Sequence, residues 1–184
     1  MTPLDRALQC LRERAALPHI PASARLLDVG CADGTLLRAA AGVIREGIGI
    51  DPDAPAGDAR LQRGRFPDDL AVDGTFDVIT MLAVFEHFPD AARPRVVEAI
   101  RRLLRPGGRV ILTVPAPVVD RIVDLLRALR LVHGMDIESH HGYRPEETPR
   151  HFAGFRVVVH DTFELGLNHL YVLELPSASA APAR

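Results

Sequence analysis

Residues 26–37 have the sequence Leu-Leu-Asp-Val-Gly-Cys-Ala-Asp-Gly-Thr-Leu-Leu, and this stretch decides the fold. A short apolar run ends in Asp-Val-Gly, a tight turn follows, and an apolar pattern with helical spacing begins near Thr35. The pattern is typical of a buried parallel strand that passes directly into a helix. Such a turn lies at the carboxyl end of its strand, where open α/β sheets bind ligands. Gly30 and Gly34 let the backbone approach a ligand closely, because neither carries a Cβ.

The spacing of the glycines distinguishes two kinds of nucleotide-binding turn. A dinucleotide-binding turn has the pattern Gly-x-Gly-x-x-Gly, but Ala32 and Thr35 occupy its second and third positions here. The observed pattern, Asp-x-Gly-x-x-x-Gly, resembles motif I of the class I S-adenosylmethionine (SAM) methyltransferases, with Ala32 in place of the middle glycine. The resemblance implies that the turn binds SAM through Asp28, Gly30, Cys31, Ala32 and Gly34, with the Asp28 carboxylate near the methionine ammonium group. The alternative is a turn in which the glycines are purely structural.

An acidic residue closes the second predicted strand, residues 47–51. Asp51 follows Gly30 by about 20 residues, the interval at which an acidic side chain meets ribose hydroxyls in Rossmann-like domains. A carboxylate there accepts hydrogen bonds from both hydroxyls. By the resemblance, Asp51 and Pro52 bind the ribose side of the cofactor. The alternative is a surface aspartate that begins an Asp-Pro turn.

The adenine-binding residue is less well defined by the sequence. In the family the loop after the third strand covers the adenine, often through an acid, but Arg65 stands at that position here. Phe66 is expected to pack on the base, and Asp68 is the alternative acceptor. Phe66 as a core residue and Asp68 as a solvent-facing residue are equally open interpretations.

A Glu-His pair follows the fourth predicted strand, residues 76–82. The segment 83–88, Ala-Val-Phe-Glu-His-Phe, is similar to the one that many small-molecule methyltransferases carry beside the methionine part of SAM. The resemblance implies that Ala83 borders the cofactor and that His87 faces the transferred methyl group or the acceptor. His87 as a helix cap, or as a side chain packed against the sheet, is the alternative.

The segment 132–145 is the densest polar and titratable cluster in the chain. Here His140 or His141 could deprotonate an acceptor hydroxyl, since an unperturbed histidine has a pKa near ~6.5. Residues 138–143, which end at Tyr143, are therefore expected at the acceptor pocket, and a solvated loop is the alternative. No Cys-x-x-Cys or similar zinc spacing is present, so no metal is expected.

The remaining pattern predicts an α/β fold. Helices are expected at about 3–17, 35–45, 89–104, 118–131 and 145–153, and a Gly-Gly turn at 107–108 precedes strand five at 109–115. Strands six and seven, 154–160 and 168–175, are joined tightly and so are antiparallel. The resemblance implies a Rossmann-like seven-stranded sheet of order 3-2-1-4-5-7-6, with strand 7 antiparallel and helices on both faces. Residues 1–176 are expected to form one domain, and the tail 177–184 to be disordered.

Composition excludes several classes of function. The chain has 184 residues, a net charge of −2 and a pI of about 6.4, which gives no general attraction to nucleic acid or an anionic membrane. All of its basic side chains other than histidine are arginines, so a lysine Schiff-base mechanism is excluded. Two cysteines make no disulfide framework, and a reduced, cytoplasmic setting is expected. We expect a small-molecule acceptor, no nucleic-acid or membrane partner, and an open pocket or one completed in a homodimer.

The resemblance implies transfer of the SAM methyl group to an oxygen or nitrogen of a small metabolite, giving S-adenosylhomocysteine. Alternatives are a SAM-binding module without catalysis, and a methyltransferase that acts on a carrier-bound or peptide acceptor. An NAD-type oxidoreductase would require the dinucleotide spacing that residues 30–35 lack.

Overall fold

Seven strands form one mixed sheet of order β3-β2-β1-β4-β5-β7-β6 in the computed structural model, which describes residues 3–116 and 143–177. The strands are β1 Arg25–Val29, β2 Glu46–Asp51, β3 Leu61–Arg63, β4 Phe76–Leu82, β5 Leu104–Pro115, β6 Arg156–Phe163 and β7 Asn168–Glu174. The helices are α1 Pro3–Ala16, α2 Thr35–Ala39, α3 Arg93–Leu103 and α4 Thr148–His151, with 3-10 turns at Leu17–His19, Phe85–His87 and Pro145–Glu147. The strand order predicted from the sequence is confirmed.

The last strand reverses the direction of the sheet. β7 pairs antiparallel with both β5 and β6, whereas β1 pairs parallel with β2 and β4. A four-residue turn, 164–167, joins β6 to β7, as the short connection required. The antiparallel end of the sheet confirms the predicted topology.

Two hydrophobic clusters cover the two faces of the sheet. On one face, α3 packs Val96 and Ile100 against residues such as Leu112 in β5. On the other face, α2 packs Leu36 and Leu37 onto the sheet. Each such fully buried aliphatic side chain stabilises the fold by about 1.5–3 kcal/mol. Helices therefore lie on both faces, as predicted.

Two local predictions differ from the structure. The predicted helix 35–45 ends at Ala39, because the chain must turn towards the segment before β1. There Ser23 N donates to the Val43 carbonyl at 2.7 Å, and Arg45 N donates to the Ala24 carbonyl at 3.0 Å. Strand β5 begins at Leu104, directly after α3, and not at residue 109 as predicted. The predicted Gly-Gly turn lies within β5, where the pairing with β4 is interrupted between Leu104 and Arg109 and Gly107 has a φ of +75°.

Several sequence-based predictions lie outside the described residues. They are the helix 118–131, the candidate bases His140 and His141, and the tail from residue 178. Among the helices of residues 3–116 and 143–177, none is long and apolar enough to span a membrane.

Candidate cofactor-binding site

The glycine turn lies at the carboxyl ends of the central strands, where β1, β2 and β4 meet. Gly30 N donates to the Ile50 carbonyl at the end of β2, at 2.8 Å. Gly30 has a φ of +75°, and a Cβ added there would lie 2.2 Å from Val84 Cγ2. Gly30 therefore has a second role that the sequence did not indicate: it makes room for the loop after β4. The turn and that loop form a single surface.

Ala32 occupies the middle position of the turn in the left-handed region, with a φ of +46°. Its backbone N–H donates to Asp51 Oδ2 at 3.0 Å, and this bond ties the turn to the end of β2. A left-handed alanine costs about 1 kcal/mol relative to glycine, which the hydrogen bond to a charged acceptor offsets. The replacement of the family's middle glycine is thus accommodated in this chain.

Asp51 is anchored by two backbone donors. Its Oδ2 accepts from Ala32 N, and its Oδ1 accepts from Asp53 N at 2.8 Å. Each carboxylate oxygen has a second lone pair for another donor. Asp51 is therefore held in place and can still accept hydrogen bonds from a ribose diol. The ribose role of Asp51 and Pro52 stays a prediction.

Asp28 is a buried carboxylate at the end of β1. It is 4% exposed, and its Oδ1 accepts a hydrogen bond of 2.6 Å from Thr80 Oγ1 on the neighbouring strand. Burial raises the pKa of Asp28 from 3.8 to about 7, although the Thr80 hydrogen bond acts in the opposite direction. A bound cation would stabilise the charged form of this carboxylate, because its positive charge replaces the stabilisation by water that burial removes.

A cavity of about 210 Å³ opens beside Asp28, between the glycine turn and α1. The turn contributes Gly30 and Ala32 to its walls, and the end of β4 contributes Leu82. From α1 come Gln9, Arg12 and Glu13, which we did not identify from the sequence. Their spacing of three and four residues places them on one helix face, but only the fold shows that this polar face covers the turn.

Of the other predicted cofactor residues, Cys31 also lines the cavity. Cys31 is 2% exposed and its side chain packs against Gly49, where an added Cβ would lie 2.6 Å from Sγ. Burial raises the pKa of the Cys31 thiol to about 12, so the thiol is not reactive. Ala83 follows the cavity-lining Leu82 and has a φ of +56°, and its N–H donates to the Thr113 carbonyl at 2.9 Å. The cofactor role of Ala83 stays a prediction.

Phe66, the residue predicted to pack on the adenine, does not present an exposed ring face. Phe66 is 7% exposed and belongs to the hydrophobic cluster that includes Ile50. Asp68, the alternative acceptor, is exposed and forms an ion pair with Arg95. The adenine role of Phe66 stays a prediction.

His87 is exposed at the end of the 3-10 turn Phe85–His87, whose other two residues are buried. Val84, three residues earlier, contacts the glycine turn, so the loop carries His87 near the cofactor surface. Tyr143, by contrast, is buried: its hydroxyl is 2.7 Å from Thr148 Oγ1, and the Arg93 guanidinium lies over its ring at 4.5 Å. Tyr143 is thus part of the hydrophobic core, and the remainder of the predicted 138–143 segment lies outside the described residues. Within the described ranges, no cluster of His, Cys, Asp or Glu is arranged to hold a metal ion.

Comparison with known proteins gives this geometry a context. The sequence model of a family described as "Methyltransferase domain" matches residues 4–153. The ubiquinone biosynthesis O-methyltransferase of Pseudomonas aeruginosa (strain LESB58) is 38% identical over 55% of this chain and 47% of its own length. The enzyme of the same name from Nitrosococcus oceani is 33% identical over 76% of this chain and 64% of its own length. The chain thus spans between about half and two thirds of these relatives.

Solved structures share the fold at low identity. A SAM-dependent methyltransferase from Archaeoglobus fulgidus superposes with a TM-score of 0.69 at 15% identity, covering 92% of this chain and 94% of that one. The N-methyltransferase NodS from Bradyrhizobium japonicum WM9, in complex with S-adenosylhomocysteine, superposes with a TM-score of 0.63 at 15% identity, covering 96% and 89%.

Proposed function

Since the chain belongs to the methyltransferase domain family of class I SAM-dependent enzymes, we propose that it transfers the methyl group of SAM to an oxygen of a small molecule. The observation that carries the proposal is the cavity beside Asp28, at the carboxyl ends of β1, β2 and β4. Along these strand ends lie the buried Asp28 carboxylate, the glycine turn and the anchored Asp51 carboxylate. This arrangement would suit, in that order, the ammonium group, the methionine chain and the ribose of SAM.

The chemistry is an in-line displacement at the methyl carbon. An acceptor oxygen forms a bond to this carbon, the bond from carbon to sulfur breaks, and the electron pair stays on sulfur as S-adenosylhomocysteine leaves. The proton of the acceptor hydroxyl passes to a base. Because the sulfonium is already a good electrophile, the protein contributes mainly by holding donor and acceptor in contact.

Oxygen is proposed as the acceptor atom because the two relatives described above are O-methyltransferases. A phenolic hydroxyl suits this chemistry well, since its pKa near ~10 allows a histidine to assist deprotonation. Among the described residues, His87 is the candidate base, and His140 and His141 stay candidates from the sequence. A homodimer and a cytoplasmic location also stay predictions.

The proposal is tested by methyl transfer from labelled SAM to a panel of small phenols, alcohols and amines. We expect formation of S-adenosylhomocysteine together with a labelled phenol or alcohol, and loss of both products in an Asp51→Ala variant. Label found only in amines would contradict oxygen as the acceptor atom. If SAM binds but neither the panel nor a small-molecule cell extract becomes labelled, the chain is a SAM-binding module. Label in the macromolecular fraction would instead indicate a carrier-bound or peptide acceptor.

A further inference from the structure

Glu13 is a second buried carboxylate at the cavity that Asp28 lines. It lies on α1, is 5% exposed, and lines the same cavity as Asp28. Its Oε1 accepts a hydrogen bond of 3.0 Å from Gln9 Nε2 on the preceding helical turn. A neutral amide is a weak partner for a buried charge, and burial raises the pKa of Glu13 above its ordinary value.

The charges around Glu13 make an added cation favourable. Asp28 faces it from β1 and Asp33 from the glycine turn, and both disfavour a second negative charge. Arg38 of α2 acts in the opposite direction, but its guanidinium already pairs with Asp33 at 3.4 Å. Two carboxylates that share one low-dielectric cavity repel each other unless a cation lies between them.

The amino-acid end of SAM has the matching chemistry. It carries an ammonium group, which suits the two carboxylates, and a carboxylate, which suits a guanidinium. Arg12, the residue before Glu13, lines the same cavity, and its Nε is buried with no hydrogen-bond partner among residues 3–116 and 143–177. The face of α1 thus presents a carboxylate and a guanidinium side by side, which match the ammonium and carboxylate groups of a zwitterionic ligand.

We propose that Glu13 is a second ammonium-binding carboxylate of the cofactor site, and that the cation held between Glu13 and Asp28 draws α1 onto the glycine turn. This inference rests on the proposed function, because the cation is the ammonium group of SAM. Helix α1 would then bind the cofactor directly, in addition to packing on the sheet. Its movement onto the glycine turn would depend on the amino-acid end of the ligand.

The test compares two ligands in calorimetric titrations. SAM has the amino-acid end, whereas 5′-methylthioadenosine keeps the adenosine and sulfur but lacks that end. Glu13→Gln keeps the size of the side chain and removes its charge. Glu98→Gln is the matched control, since Glu98 is exposed on α3 and pairs only with Arg101, at 3.8 Å, in the described part of the chain.

For Glu13→Gln we expect SAM to bind about 10-fold more weakly, because the substitution removes one charge-assisted hydrogen bond. Methylthioadenosine should bind as it does to the wild type, and Glu98→Gln should match the wild type with both ligands. Unchanged SAM affinity in Glu13→Gln, or an equal loss for both ligands, would overturn the role of Glu13 and leave the proposed function standing. A wild-type protein that binds neither ligand would overturn both.

Trypsin digestion tests the movement of α1 separately, because this helix contains cleavage sites at Arg6, Arg12 and Arg14. Both proteins are digested at a SAM concentration that saturates each of them. SAM should slow the cleavage of α1 in the wild type, and should slow it less in Glu13→Gln. Equal protection of the two proteins would show that the charge of Glu13 does not hold α1 in place.

Discussion

Replacement of Asp28 by asparagine should stabilise the ligand-free protein while removing its affinity for SAM. The asparagine side chain keeps an oxygen that accepts the hydrogen bond from Thr80, but it carries no charge to bury. Because burial raises the pKa of Asp28 from 3.8 to about 7, the folded protein holds this proton more tightly than the unfolded chain does. The wild type therefore loses stability as the pH rises from about 4 to about 7, and the loss is complete above that range.

The magnitude follows from the pKa. Between pH 5 and the folded-state pKa of about 7 lie two pH units, each worth about 1.36 kcal/mol. The free energy of unfolding of Asp28→Asn, relative to that of the wild type, should therefore increase by about 3 kcal/mol from pH 5 to pH 8. Below pH 4 the two proteins should differ little, since the wild-type carboxyl is then neutral in both states.

Urea denaturation followed by circular dichroism at pH 5, 6, 7 and 8 measures this difference directly. Asp73→Asn is the control, because Asp73 is exposed and its replacement removes a charge without relieving burial. Saturating SAM should then stabilise the wild type and leave Asp28→Asn unchanged. A stability difference that does not vary with pH, or that decreases as the pH rises, would refute the assignment of a costly buried charge to Asp28.

Three further substitutions, one of them with a matched control, test other parts of the site. Asp51→Asn should weaken SAM binding about 10-fold by removing a charged acceptor, and unchanged affinity in calorimetry would contradict the ribose role. Gly30→Ala should destabilise the protein by about 2–4 kcal/mol, since an added Cβ meets Val84 at 2.2 Å and the φ is +75°. Gly57→Ala, also at positive φ but with open space around it, should cost only about 1 kcal/mol in the same melts, and equal losses would exclude the contact as the cause. His87→Ala should lower kcat about 100-fold with unchanged SAM affinity, and an unaffected kcat would exclude His87 as the base.

The parts of the fold that could be predicted depend on local pattern. The run into Gly30 and the short connection between the last two strands are properties of neighbouring residues. Together with the other motifs they carried the family resemblance, and the resemblance implied the sheet order. Helix α2 was predicted too long because its end is set by backbone hydrogen bonds to residues 23 and 24, which are distant from it in sequence.

The site shows the same limit. Asp28 and Asp51 lie at the carboxyl ends of β1 and β2 and could be recognised from their positions. Glu13 could not, because a polar helix face looks the same in sequence whether it meets solvent or a cofactor. Burial of Phe66 likewise depends on tertiary packing, which makes an aromatic side chain beside a strand ambiguous between ligand contact and core.

The central claim is that the cavity beside Asp28 binds SAM. Isothermal titration of the wild-type protein with SAM, S-adenosylhomocysteine and NAD tests it most directly. The structure predicts that both adenosyl ligands bind in the micromolar range, near about −8 kcal/mol, and that NAD does not bind. Absence of binding by SAM and S-adenosylhomocysteine at millimolar concentration, or tighter binding of NAD, would contradict it.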